Sequence, residues 1–207
     1  TTGSVLTLGT NEPSVVASDV LGRVNFYAPL DAAGTDANLV AGSIVAQAEG
    51  TFSSSSNATS LLFQTGASET ATTKMIITSG GNVGIGTTSP TNILSLGNAA
   101  AQKFWIENTA TDVVGRALTV AAGGTVAGTA VSDVVGGQLI LQAGLGTGTG
   151  DSSIAFQTGT TLTTGTTLQT MSTKMTILGN GNVGIGTTTP GALLNVYKDS
   201  DATNIIR

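Results

Sequence analysis

Short β-branched and aliphatic runs alternate along this chain with clusters of Gly, Ser, Thr, Asn and Asp, at intervals of about 8 to 15 residues. Helical periodicity is nearly absent. The pattern predicts strands over residues 5–8, 23–27, 42–48, 60–64, 74–78 and 82–85. It predicts a second series over 103–107, 116–121, 137–143, 153–157, 174–178 and 182–185, and a last strand over 193–197. The expected class is all-β.

The two series are copies. Residues 81–90 read GNVGIGTTSP and residues 181–190 read GNVGIGTTTP, a spacing of 100. Lys74, Met75 and Ile77 return as Lys174, Met175 and Ile177, and Leu94 returns as Leu194. Upstream the offset slips to 95 for Gly42, Ile44, Gln47 and Ala48 against Gly137, Leu139, Gln142 and Ala143. It is 93 for residues 63–66 against 156–159, and for Gly22-Arg23 against Gly115-Arg116. Residues 6–9 resemble 94–97 at an offset of 88. Such self-similarity marks a tandem array. The expected organisation is a first β-unit over 1–92, a second over 93–192 and the start of a third over 193–207, within a longer protein.

Comparing the copies suggests which strand face is buried. Met75 and Ile77 are retained while Ile76 becomes Thr176, so alternation puts Met75 and Ile77 inward and Ile76 outward. Val83 and Ile85 are expected inward by the same reasoning, with Asn82, Gly84 and Gly86 opposite or in the turn. Thr87, Thr88 and Pro90 then end the strand. Glycines inside a strand mark a bulge or a close backbone approach. Two explanations stand for Gly84: packing between chains about a three-fold axis, or a bulge within one chain. Variation between copies is concentrated in polar tracts, residues 67–73 being seven shorter than 160–173, as suits exposed loops.

Composition narrows the function. Charged residues are 9% and aromatic residues 4%, while Gly contributes 29 of 207 positions. This favours thin, closely approaching strands over a thick core of large side chains. Low charge also argues for order. With net charge −5 and seven scattered basic residues, a nucleic-acid surface is not expected. There is no Cys and no His, so disulfides, thiolate or imidazole metal sites and His-dependent catalytic triads are excluded. No apolar run is long enough to span a membrane as a helix.

Candidate chemistry is sparse. Asp31 and Asp36 share a turn-rich segment, and Asp199 and Asp201 flank Ser200. A glycosidase needs two carboxyls across a groove, whereas Asp and Glu in Gly/Thr-rich loops are ordinarily turn formers. Residues 144–151 (GLGTGTGD) and 81–86 (GNVGIG) are glycine-rich but fit neither a dinucleotide fingerprint nor a P-loop. The former also misses the calcium nonapeptide register. Asn57-Ala58-Thr59 is a glycosylation sequon that arises often by chance. Phe104 and Trp105 could stack on a sugar, but a core or interface strand position is the reading preferred here. No catalytic, cofactor-binding or metal residue is assigned, and no cofactor is expected.

The order Gly22-Arg23-x-x-Phe26-Tyr27, Gly42-x-Ile44-x-Ala46, Leu61-x-Phe63-x-Thr65, Lys74-Met75-x-Ile77 and then GNVGIGTTSP resembles bacteriophage tail-fibre and tail-spike shaft repeats. The likeness covers nearly the whole chain, and the decapeptide is its most specific part. Such shafts are often followed by a C-terminal self-cleaving chaperone, and no such segment is present here. Two departures are Ala117-Leu118-Thr119-Val120 in place of Val24-Asn25-Phe26-Tyr27, and Lys rather than Arg before Met. The resemblance implies an elongated, intertwined homotrimeric β-helix or β-prism shaft. It also implies a non-enzymatic virion or extracellular protein that partners other tail proteins and holds a receptor-binding tip for a host glycan or protein. The alternatives are a cellular surface filament or adhesin stalk, and a polysaccharide-degrading tail spike.

Overall fold

A computed structural model of the chain describes residues 3–28, 34–108, 114–124, 135–162 and 165–197. These fall into two compact units, Thr1–Arg116 and Ala117–Arg207. The class is all-β: among the described residues the helical content is one 3-10 turn, Asp36–Asn38.

The first unit is a six-stranded sheet in sequence order: β1 (Val20–Phe26), β2 (Gly42–Ala48), β3 (Thr59–Thr65), β4 (Thr72–Ile77), β5 (Val83–Ile85) and β6 (Leu94–Leu96). Each strand pairs antiparallel with the next as far as β5, and β6 then pairs parallel with β5. The second unit is a four-stranded sheet of β7 (Ser153–Gly159), β8 (Met171–Leu178), β9 (Val183–Ile185) and β10 (Leu194–Val196). It repeats the β3-to-β6 arrangement, with β9 and β10 parallel. Neither strand order closes on itself.

Local chemistry accounts for the shared part. Between β4 and β5 the chain reverses at Ser79-Gly80-Gly81, where the Gly81 N–H donates to the Thr78 carbonyl at 2.9 Å; Gly181 and Leu178 repeat the bond at 2.9 Å. Parallel neighbours need a crossover, typically about a dozen residues or more, yet here residues 86–93 and 186–193 suffice. Gly86 and Gly186 begin the crossover at φ +72° and +77°, a conformation costly for residues with a Cβ. Asn82 Nδ2 then donates to the Pro90 carbonyl at 3.3 Å, and Asn182 Nδ2 to that of Pro190 at 3.1 Å. The decapeptide is therefore a self-contained device: a strand, a left-handed exit, and an asparagine that pins the returning loop.

Four predicted strands are absent. Residues 5–8, 103–107, 116–121 and 137–143 form no ladder. The last two are the copies of β1 and β2, and the difference has a physical cause. In the first unit Val45 of β2 is 1% exposed and packs with Leu62 and Ile76 as the buried apolar cluster. The second unit carries Ala155 and Thr176 where the first has Leu62 and Ile76, so Ile140 finds no matching apolar anchor. Strand propensity without a partner surface does not make a strand. Conversely, β6 was not among the predicted strands, although its copy over 193–197 was.

Candidate functional site

Directly opposed residues of neighbouring strands share a face, and the registers define two faces in each unit. On one, the ladder Arg23, Val45, Leu62, Ile76, Gly84 and Ser95 crosses the first sheet. Here Val45, Leu62 and Ile76 are buried, and the crossover passes over Gly84 beside Ile76. A Cβ on Gly84 would collide with the Thr87 carbonyl oxygen and lie 3.0 Å from Ile76 Cγ2; a Cβ on Gly184 would likewise meet the Thr187 carbonyl. Two expectations are corrected by this arrangement. Ile76 points to the covered side, not outward, and so does Thr176. Gly84 is required by the chain's own returning backbone, since no register shift separates β4 from β5 and the collision lies within one chain.

Phe63, Met75, Ile85 and Leu96 form one ladder on the opposite face, and Leu61, Ile77, Val83 and Leu94 form another. Phe156, Met175, Ile185 and Val196, with Ile154, Ile177, Val183 and Leu194, reproduce both ladders in the second unit. All eight positions are apolar in both copies. Alternation therefore grouped Met75, Ile77, Val83 and Ile85 correctly, but within the chain their side is the open one. Ile85 is 47% exposed and Leu94 50%; Ile185 and Leu194 match them at 43% and 46%. Met75, Ile77 and Val83 are half-buried. The covering loop, which periodicity alone does not locate, lies across the other side.

Contiguous apolar surface of this kind is a candidate association surface. Full burial of each Leu or Ile side chain is worth roughly 1.5–3 kcal/mol. The available chemistry is association.

The polar side offers little else. A cleft of about 460 Å³ is lined by Glu49, Ser60, Thr73, Thr78 and Thr88, with Leu62 and Ile76 among its apolar walls. Glu49 is its one carboxylate, and that group already accepts from the Ser79 backbone N–H at 2.7 Å and from the Ser79 hydroxyl. Other acids serve their own turns. Asp19 accepts from the Val16 N–H at 2.6 Å, and Asp151 from the Ser152 N–H at 2.8 Å. The exposed Glu69 carboxyl is held below its ordinary range by the Ser68 N–H first and the Ala67 N–H next. No three His, Cys, Asp or Glu side chains converge among the described residues.

Asp36 sits in the 3-10 turn, whereas Asp31, Asp199 and Asp201 lie outside the described residues. The Phe104–Trp105 pair is not in a core or a strand. These side chains are 74% and 60% exposed, and Lys103 Nζ lies 5.8 Å from the Trp105 ring centroid, within cation–π reach. Residues 147–150 form a turn closed by the Gly150 N–H on the Thr147 carbonyl at 2.9 Å. In the sequon, Thr59 Oγ1 donates to the Asn57 carbonyl at 2.9 Å. No helix among the described residues is long and apolar enough to cross a membrane.

Compared with known protein families the chain matches none, and no curated protein matches it either.

Proposed function

We propose that this chain is a non-enzymatic structural shaft segment of a bacteriophage tail fibre or a comparable extracellular virion appendage. In that role it assembles as a homotrimer and holds a receptor-binding tip away from the particle. One observation carries the reading: an eight-position apolar face, open in the single chain, recurs in both units at equivalent ladder positions. A protein that acted alone would cover such a surface, or cover it in one unit. A repeated open face is what lateral assembly of repeat chains uses, and pairing the chains also protects exposed sheet edges. The single engaged carboxylate of the cleft supports a structural role over glycan hydrolysis, which needs two carboxyls.

Sedimentation equilibrium at micromolar concentration tests the assembly, with three chains per particle expected and a monomer counting decisively against it. Incubation with capsule or lipopolysaccharide tests the chemistry. Intact sugars are expected, and reducing ends whose release depends on Glu49 would promote the tail-spike alternative.

A further inference from the structure

The turn before β9 has the form of the turn before β5 but is closed by different groups. In both, the glycine N–H of Gly81 or Gly181 donates to the carbonyl of Thr78 or Leu178 at 2.9 Å. In the first unit the Asn82 N–H is met by the Thr78 hydroxyl at 3.2 Å. The second unit has Leu178 there, and the Asn182 N–H is met instead by Asn180 Oδ1 at 2.9 Å. Asn180 stands in place of Gly80, so the second turn alone reads Asn-Gly, a dipeptide that occurs nowhere else in the chain. Asn180 and Gly181 are both exposed. Gly181 has φ +87°, and a Cβ on it would meet nothing within 4 Å.

We infer that Asn180 is a site of covalent self-modification, losing its side-chain amide through a cyclic imide closed by the Gly181 backbone nitrogen. The inference goes beyond the shaft reading and does not depend on it. The co-reactants are water and hydroxide. Hydroxide takes the Gly181 N–H proton, and the nitrogen forms a bond to Asn180 Cγ. The Cγ–Nδ2 bond breaks, and ammonia leaves after taking a proton from water. Water then opens the imide at Cγ, giving aspartate, or at the Asn180 main-chain carbonyl carbon, giving isoaspartate. Two features of the turn favour closure. Gly181 has no side chain to crowd the ring, and the space beside it is open. The Asn182 N–H already meets Oδ1, where negative charge develops as the nitrogen attacks, so it serves as an oxyanion donor. The Gly181–Leu178 hydrogen bond opposes closure, but in an exposed turn such a bond opens for little free energy. The Asp151 carboxylate lies against the turn beside Gly179, so either product adds a like charge there. Aspartate keeps an oxygen for the Asn182 N–H. Isoaspartate adds a carbon to the main chain and displaces Asn182, whose Nδ2 pins the Pro190 carbonyl at 3.1 Å. The second crossover thus ages chemically by a route closed to the first.

The test incubates the folded wild-type chain at mildly alkaline pH and follows the tryptic peptide between Lys174 and Lys198 by mass spectrometry with fragmentation. Residue 180 is expected to exchange its amide for an acid, with isoaspartate detected by an isoaspartyl methyltransferase. Asn182 and Asn195 in the same peptide are expected to stay intact. Mildly acidic pH should slow the change steeply, since hydroxide starts it. The folded rate should lie within about fivefold of the rate in guanidinium, because opening an exposed turn costs little. Asn180→Gly, which installs the first unit's dipeptide, should remove the modification and keep the strand signal in circular dichroism. Modification spread equally over the three asparagines overturns the assignment, as does a folded chain protected by much more than about fivefold. The isoaspartyl fraction should also melt below Asn180→Asp, and equal melting would overturn the claimed displacement of the pin.

Discussion

In the first sheet the position beneath the crossover is Ile76, 7% exposed; in the second it is Thr176, 4% exposed, with a hydroxyl that has no hydrogen-bond partner among the described residues. Gly84 and Gly184 beside them are alike, each unable to carry a Cβ without meeting the carbonyl of Thr87 or Thr187. The geometry of the crossover is thus preserved even where the residue beneath it is chemically wrong for burial. A hydroxyl stranded in an apolar setting costs about 1–3 kcal/mol. What the two sheets share is backbone shape, fixed by the decapeptide. What they do not share is the quality of the core under it, and the sheet with Leu62 and Ile76 is the one that recruits β1 and β2.

The comparison breaks most readily at the glycines. Gly84→Val and Gly184→Val should each lower stability by about 3 kcal/mol, the upper end for overpacking, because the obstacle is backbone and cannot rotate away. Ser54→Val in the exposed 53–56 loop should stay within about 0.5 kcal/mol. Urea midpoints measure both, and a wild-type midpoint for either glycine variant would end the crossover argument. Next, Ile76→Thr gives the first sheet the second sheet's defect and should cost about 2 kcal/mol, combining lost burial with an unpaired hydroxyl. If it is silent, the apolar cluster is not what distinguishes the units. Removing the pin, Asn82→Ala or Asn182→Ala, should cost about 1 kcal/mol. The two losses should be equal, since both bonds to the proline carbonyl are present; unequal losses by thermal melting would mean that the crossovers are not equivalent. The smallest effect is a gain: Thr176→Val should stabilise by up to about 1 kcal/mol by removing the stranded hydroxyl.

Much of this arrangement was legible in the chain. Strands 42–48 and 60–64 were placed within a residue of β2 and β3, and alternation sorted residues 75, 77, 83 and 85 onto one side. Which side is covered was not legible, because a loop of eight residues decides it and its path depends on the left-handed Gly86 and the Asn82 pin. Retention of Met75 and Ile77 signalled an apolar face, and that signal is the same whether the face is buried within a chain or left open. The missing strands at 116–121 and 137–143 show a related limit. Their patterning copies β1 and β2, but pairing is decided by residues elsewhere, at 155 and 176. Trp105 was read from its size as a core or interface strand position, and in the chain it is 60% exposed and lies in no strand.

The parallel pairing of β6 with β5 has an arithmetic consequence. Strands β1 to β5 reverse at every turn, so β1, β3 and β5 point one way and β2 and β4 the other. A sixth antiparallel strand would point against β1. The crossover cancels that reversal, and β6 leaves the sheet heading as β1 entered it. Entry and exit therefore have the same parity. Within this sheet it is the left-handed exit at Gly86, and not the number of strands, that decides the sense in which the chain leaves.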